Sequence, residues 1–173
     1  MTNCNPVVAI LMGSKSDLPN LKGAFDILRK FEIPFTARVM SAHRTPAEAC
    51  EFASAAEENG IKVFICAAGM AAHLGGVIAA HTTLPVIGLP MACEPFNGLD
   101  SLYSTVQMPP GIPVASVTAG KAGAKNAALY AAAMLALSDK AINAKLKEFR
   151  KEQTAVVNAA DAELQQDLAA GNI

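Results

Sequence analysis

The sequence predicts an α/β fold in which a parallel sheet carries helices on both faces. Three observations lead there. Apolar runs of strand length alternate five times with segments of helical spacing, and VVAILMG (7–13) is apolar throughout rather than alternating, as a strand covered on both faces requires. Three of these runs hand over to short turns rich in small and polar residues: GSKSD, SAHR and AGMAAH. Parallel neighbours need right-handed crossover connections, and the alternation supplies them.

In chain order, VVAILMG is the first strand, and LKGAFDILRKF (21–31) repeats apolar residues at helical steps. IPFTARVM (33–40) reads as the second strand and EACEFASAAEEN (48–59) as the second helix. IKVFICAA (61–68) and LPVIGLP (84–90) are the third and fourth strands, with a small-residue helix from Ala71 to Ala80 between them. A helix over Leu99 to Gln107 and a strand IPVASV (112–117) follow, and AGAKNAALYAAAMLAL (122–137) strongly favours helix. One domain accounts for the whole of 1–173, with a core over about 6–137 and a helical extension over about 138–170.

Composition narrows the function. With 17% charged residues and a net charge of −1, the chain has no basic stripe for a nucleic acid. From Val63 to Cys93 there is no charged residue, a span long enough for a membrane helix, but Gly69, Gly75, Gly76, Pro85, Gly88 and Pro90 interrupt it. It reads as buried strand, helix and strand, with no membrane partner. The N-terminus has no positive region ahead of its apolar run, so a signal peptide is not expected and the cytoplasm is. Cys4, Cys50, Cys66 and Cys93 are scattered without C-x-x-C spacing, which suggests reduced apolar residues and no metal site.

In the extension, Ile142, Leu146, Phe149, Val156, Ala160, Leu164 and Leu168 fall near steps of three and four on a charged helix. A neighbouring copy is the economical cover, making the protein a homo-oligomer; a helix folded back on its own chain is the other option.

Ligands of open α/β sheets sit at the carboxyl ends of the strands, where strand order reverses. In SAHRTPAE (41–48), Thr45, Pro46 and Glu48 fit a capping box, so a helix starts directly after His43 and Arg44. An anion is favoured there, Arg44 adds a fork of donors, and His43 can act as general acid or base. An ion pair for Arg44 and a backbone contact for His43 would fit equally. GSKSD offers Gly13 for close approach, hydroxyls on Ser14 and Ser16, and Asp17 for sugar hydroxyls; an ordinary β-to-α turn capped by Asp17 is the plainer reading. AGMAAHLGG (68–76) leaves room for a planar ring near the backbone, with His73 either structural or chemical.

Together GSKSD, SAHRTP, AGMAAHLGG, AAHTTLPVIGLP, NGLDSLYSTVQMP and AGAKNAAL, in this order from about Val7 to Leu137, resemble the PurE family of purine biosynthesis. The resemblance implies a three-layer α/β/α sandwich of flavodoxin-like type with a five-stranded parallel sheet, usually assembled as an octamer. SAHR followed by TP, and AGMAAHL, are similar to the subclass that converts 5-(carboxyamino)imidazole ribonucleotide into 4-carboxy-5-aminoimidazole ribonucleotide. The alternatives are direct carboxylation of aminoimidazole ribonucleotide, or a non-catalytic nucleotide-binding module. The family's positions carry over to His43 as catalytic acid/base, to Ser14, Ser16, Asp17 and Arg44 as substrate contacts, and to Ser41, Gly69, Ala72 and His73 as the rest of the pocket. A small ribonucleotide is the implied partner, and no metal or organic cofactor is implied. Gly75 stands where the family commonly has Pro, which predicts a less rigid third loop, and MACEPF (91–96) differs from the usual polar stretch.

Overall fold

The computed structural model describes residues 5–173, so Cys4 lies outside the described residues. Five strands form one parallel sheet in the order β2-β1-β3-β4-β5. They are β1 (Val8–Met12), β2 (Phe35–Val39), β3 (Val63–Gly69), β4 (Val86–Met91) and β5 (Ala115–Ser116). The helices are α1 (Leu18–Lys30), α2 (Pro46–Ser54), α3 (Leu74–Ala80), α4 (Leu99–Val106), α5 (Gly120–Leu135) and α6 (Lys140–Ala170). The expected α/β sandwich with a long C-terminal helix is therefore what the chain forms.

Burial explains why the central strands read as unbroken apolar runs. Val8, Ile10 and Met12 of β1 join one core with Leu21, Ile27 and Leu28 of α1 and the alanines of α5. Ala9 and Leu11, pointing the other way, join a second core with Ala49 and Ala53 of α2 and Leu74 and Ile78 of α3. Both faces of each central strand are dry, so neither can carry a charge. β2 lies at the sheet edge and is partly exposed, which is why Arg38 is tolerated within it.

The α1–α5 layer depends on small residues. Ala124, Ala127, Ala128, Ala131 and Ala132 are fully buried against α1 and the sheet. Gly123 is the tightest point: a Cβ there would stand 1.6 Å from the Thr118 carbonyl oxygen and 2.6 Å from Leu89 Cδ1. Phe149 of α6 meets Phe31 edge-on with ring centroids 5.9 Å apart, and Lys145 Nζ donates to the Phe31 carbonyl at 2.9 Å. Those contacts hold the first half of α6 to the body.

Several boundaries differ from expectation. The third helix begins at Leu74, not Ala71, because Met70 takes a positive φ of 55° and the chain bends through Ala71 and Ala72 before it can coil. His73 is consequently the N-cap residue rather than a helical one. The second helix starts at Pro46 and stops at Ser54, short of residue 59, after which turns lead to Gly60 at φ 84°. The fifth strand pairs only at Ala115 and Ser116. Thr45 makes no cap hydrogen bond to α2, since its hydroxyl is already engaged with both backbone groups of Ser41. Gly75 lies in the first turn of α3, a position that proline also suits because the amide there needs no helical partner. No described helix is long and apolar enough to cross a membrane.

Replacing Gly123 with alanine is expected to cost about 1–3 kcal/mol, the usual range for overpacking a tight core. A urea unfolding curve checks this; a midpoint unchanged from that of the parent would mean that α5 can shift away from Thr118 without loss.

Candidate active site

The strand order reverses between β1 and β3, so the turns leaving their carboxyl ends diverge and open a cleft. The cleft has a volume of about 520 Å³ and is bounded by the turns after β1, β2, β3 and β4.

After β1, a single 3-10 turn over Lys15–Asp17 is closed by a capping box that lies one segment earlier than the sequence suggests. The Ser14 hydroxyl accepts from the Ser16 amide at 3.2 Å, and the Asp17 carboxylate accepts from the Ser14 amide at 3.1 Å. The Ser16 hydroxyl also donates to the Ser14 oxygen at 2.8 Å. Asp17 thus holds its own turn in shape with one oxygen while lining the cleft. Burial pushes its carboxyl above the ordinary aspartate value, and the Ser14 amide partly offsets this.

After β2, residues 41 to 45 wrap around the Ser41 side chain. The Ser41 hydroxyl accepts from the amides of His43 and Arg44 at 3.3 and 3.2 Å, and Thr45 bonds back to the Ser41 amide at 2.9 Å. The turn presents two adjacent side chains to the cleft. Arg44 Nη2 donates to the Gly13 carbonyl at 2.7 Å, joining the β2 turn to the β1 turn. His43 Nε2 lies 2.9 Å from His73 Nδ1, with the rings nearly perpendicular at 79°. Which nitrogen donates is set by the tautomers, because two N–H groups cannot face each other at that distance.

After β3, Ala68, Gly69, Met70, Ala71 and Leu74 form an apolar side of the cleft. A Cβ at Gly69 would lie 2.7 Å from Cys93 Sγ and 3.3 Å from the Met91 carbonyl oxygen, so a side chain there would require its neighbours to move. Of the residues expected from the sequence, Ser14, Ser16, Asp17, Ser41, His43, Arg44 and Gly69 line this one cleft. His73 reaches it through His43. Ala72 is buried, only 4% exposed, and is not among the residues that line the cleft.

Sequence reasoning overlooked Met70, Leu74 and Cys93 as cleft residues. Cys93 follows β4, so the strand-end rule could have found it; the isolated cysteine read as core filling instead. Burial, then the carboxylates of Asp17 and Asp100, push its thiol above the ordinary cysteine value. Among the described residues no group of three or more His, Cys, Asp or Glu side chains is placed to hold a metal ion.

The sequence model of the family described as AIR carboxylase matches residues 7–156. A Vibrio vulnificus protein named N5-carboxyaminoimidazole ribonucleotide mutase is 52% identical over 152 residues, covering 88% of this chain and 94% of that protein. A Pyrococcus abyssi protein of the same name is 54% identical over 147 residues, covering 85% of this chain and 83% of that one. Among solved structures, Treponema denticola PurE superposes with a TM-score of 0.83 at 32% sequence identity, covering 92% of this chain and 98% of that chain.

Because the Asp17 carboxylate raises the Cys93 thiol, Asp17→Asn is expected to speed alkylation of Cys93 by iodoacetamide at neutral pH, since more of it becomes thiolate. Peptide mass mapping over time reads the rate at Cys93 alone, and an unchanged rate would remove Asp17 from its electrostatic surroundings.

Proposed function

Because the chain belongs to the AIR carboxylase family, we propose that it is an N5-carboxyaminoimidazole ribonucleotide mutase, an isomerase of purine biosynthesis. It would move a carboxylate from the exocyclic nitrogen of an aminoimidazole ribonucleotide to the adjacent ring carbon. The observation that carries this is the convergence of His43, Arg44, Ser14 and Asp17 on one cleft in a chain that shares about half its residues with enzymes of that name.

In this reading the polar turns bind the unreactive part of the substrate. Arg44, fixed against Gly13, takes the phosphate together with the hydroxyls of Ser14 and Ser16, and Asp17 accepts from the ribose hydroxyls. Ser41 keeps the loop in shape, and Gly69 leaves room for the ring. Binding energy from these groups then positions the imidazole for reaction.

The chemistry needs two proton transfers, and one histidine can serve both. Protonated His43 gives a proton to the exocyclic nitrogen as its bond to the carboxylate breaks, releasing aminoimidazole ribonucleotide and carbon dioxide. The ring carbon attacks the carbon dioxide, and neutral His43 takes the ring proton, which restores aromaticity and returns the histidine to its starting state. His73, 2.9 Å away, holds the His43 ring in place and can accept a hydrogen bond from its protonated form. Ala68, Ala71 and Leu74 offer the small neutral molecule a wall without competing donors. Holding both fragments together is worth an effective molarity on the order of 10⁵ M or more. These steps call for no metal or organic cofactor.

The same reading makes the molecule a single-domain homo-oligomer of the cytoplasm, an octamer by family resemblance; the uncovered apolar stripe of α6 supports association.

The direct test follows a carboxylate label in N5-carboxyaminoimidazole ribonucleotide incubated with enzyme in unlabelled bicarbonate, beside an enzyme-free control. Label kept in the product is the expected result. Label lost while product forms would point to direct carboxylation by free carbon dioxide, and product no faster than control would leave a binding module.

Two substitutions should separate chemistry from binding. His43→Asn is expected to lower kcat by about 10²–10⁴ with little change in substrate affinity. Arg44→Ala should weaken a phosphate-bearing ligand about tenfold to a hundredfold, the worth of a charge-assisted hydrogen bond, as read by calorimetric titration. An intact kcat in the first, or an unaltered Kd in the second, would reassign that residue.

A further inference from the structure

The loop that leaves β4 brings one side chain to the cleft. From residue 92 to residue 97 every position is exposed except Cys93, which is half-buried and lines the cleft. The backbone that carries it is held at both ends. Ser101 of α4 is wholly buried, and its hydroxyl lies 2.9 Å from the carbonyl oxygens of both Met91 and Gly98. Gly98 takes a φ of 87°, and a Cβ there would stand 3.0 Å from Ala92 Cα, so the two ends of the loop pass in close contact.

The direction of the thiol is read from Gly69. A Cβ on Gly69 would meet Cys93 Sγ first, at 2.7 Å, ahead of the Met91 carbonyl oxygen at 3.3 Å and Met91 Cβ at 3.5 Å. The sulfur, carried by the turn after β4, thus stands where a side chain on β3 would otherwise be. A third turn is near it as well. Burial raises the thiol most, and the carboxylates of Asp17 and Asp100 add to this. At neutral pH Cys93 is therefore an uncharged thiol, able to lie against an aromatic ring without repelling an anionic ligand.

We propose that Cys93 is a substrate-contacting residue: its sulfur packs on the imidazole of the bound ribonucleotide, beside the junction with the ribose, and with Gly69 it sets the width of the base end of the cleft. This rests on the functional reading above, in which Asp17 takes the ribose and the space at Gly69 takes the ring. The two turns divide the work. Gly69 keeps the backbone after β3 bare, and the loop after β4 supplies the one heavy atom that closes the space beside it. A bound base then covers the sulfur, whereas a bound sugar phosphate leaves it open.

Two measurements on the full chain test this, both with 4-carboxy-5-aminoimidazole ribonucleotide. In the first, iodoacetamide alkylation is followed by peptide mass mapping at mildly alkaline pH, with Cys50, half-buried on α2 and outside the cleft lining, as internal reference. Nucleotide at about 100 times its Kd is expected to slow Cys93 at least about tenfold relative to Cys50. Ribose 5-phosphate, which lacks the base, should slow it no more than about twofold at matched occupancy. In the second, calorimetric titration gives Kd for Gly69→Ala, Cys93→Ala and the two combined, each checked by circular dichroism for an unaltered fold. Gly69→Ala should bind at least about tenfold more weakly, the usual scale of overpacking, and adding Cys93→Ala should bring Kd back to within about threefold of the parent. A parent chain that does not bind the nucleotide overturns the functional reading and this contact with it. Binding that leaves Cys93 reacting at its free rate, equal protection by ribose 5-phosphate, or a double variant as weak as Gly69→Ala overturns the contact alone.

Discussion

The hydrogen bond from the Arg44 guanidinium to the Gly13 carbonyl ties the turn after β2 to the turn after β1, and the arrangement of the cleft depends on it. Gly13 directly follows a strand whose residues are buried, and its amide bonds to the Ala67 carbonyl of β3, so its own carbonyl is a fixed point. Arg44 anchored there sets the orientation of the loop wrapped around Ser41, and that loop in turn aims His43 toward His73. A side chain that would otherwise be a long flexible cation becomes part of the frame. Its remaining donors stay available to the cleft.

Around this point the structure separates rigidity from reactivity. The two cores on either side of the sheet are built from aliphatic residues and alanine, so helices approach closely and the strand ends have little freedom. The polar side chains of the candidate site lie on the turns, and the turns after β1 and β2 are closed by their own short hydrogen bonds. Ser14 and Asp17 satisfy one another, Ser41 satisfies the amides of His43 and Arg44, and Thr45 returns to Ser41. These local bonds fix the shape of the polar turns without a ligand, which reduces what binding has to order.

Much of this was legible in the chain because its signals are local. A strand dry on both faces has to read as VAILM, and a turn at a strand end has to contain residues that can turn. The errors arose where another element decided the outcome. TPAE fits a capping box by spacing, yet Thr45 is drawn to Ser41 across the loop. Ala71 and Ala72 favour helix, yet the positive φ at Met70 makes them part of a bend. IPVASV has the composition of a strand, but only the two residues beside Ile87 and Gly88 find a partner.

By itself, then, the sequence determined the alternation of elements, the dry strands and the identities of the candidate site side chains, because each follows from residue type and spacing. Only the tertiary structure decided which side chains meet. That Arg44 bonds to Gly13, that His43 faces His73, and that Cys93 fills the space left by Gly69 depend on turns separated by tens of residues. Their proximity is set by the strand order 2-1-3-4-5. Strand order is a property of crossover packing, and no local pattern of residues encodes it.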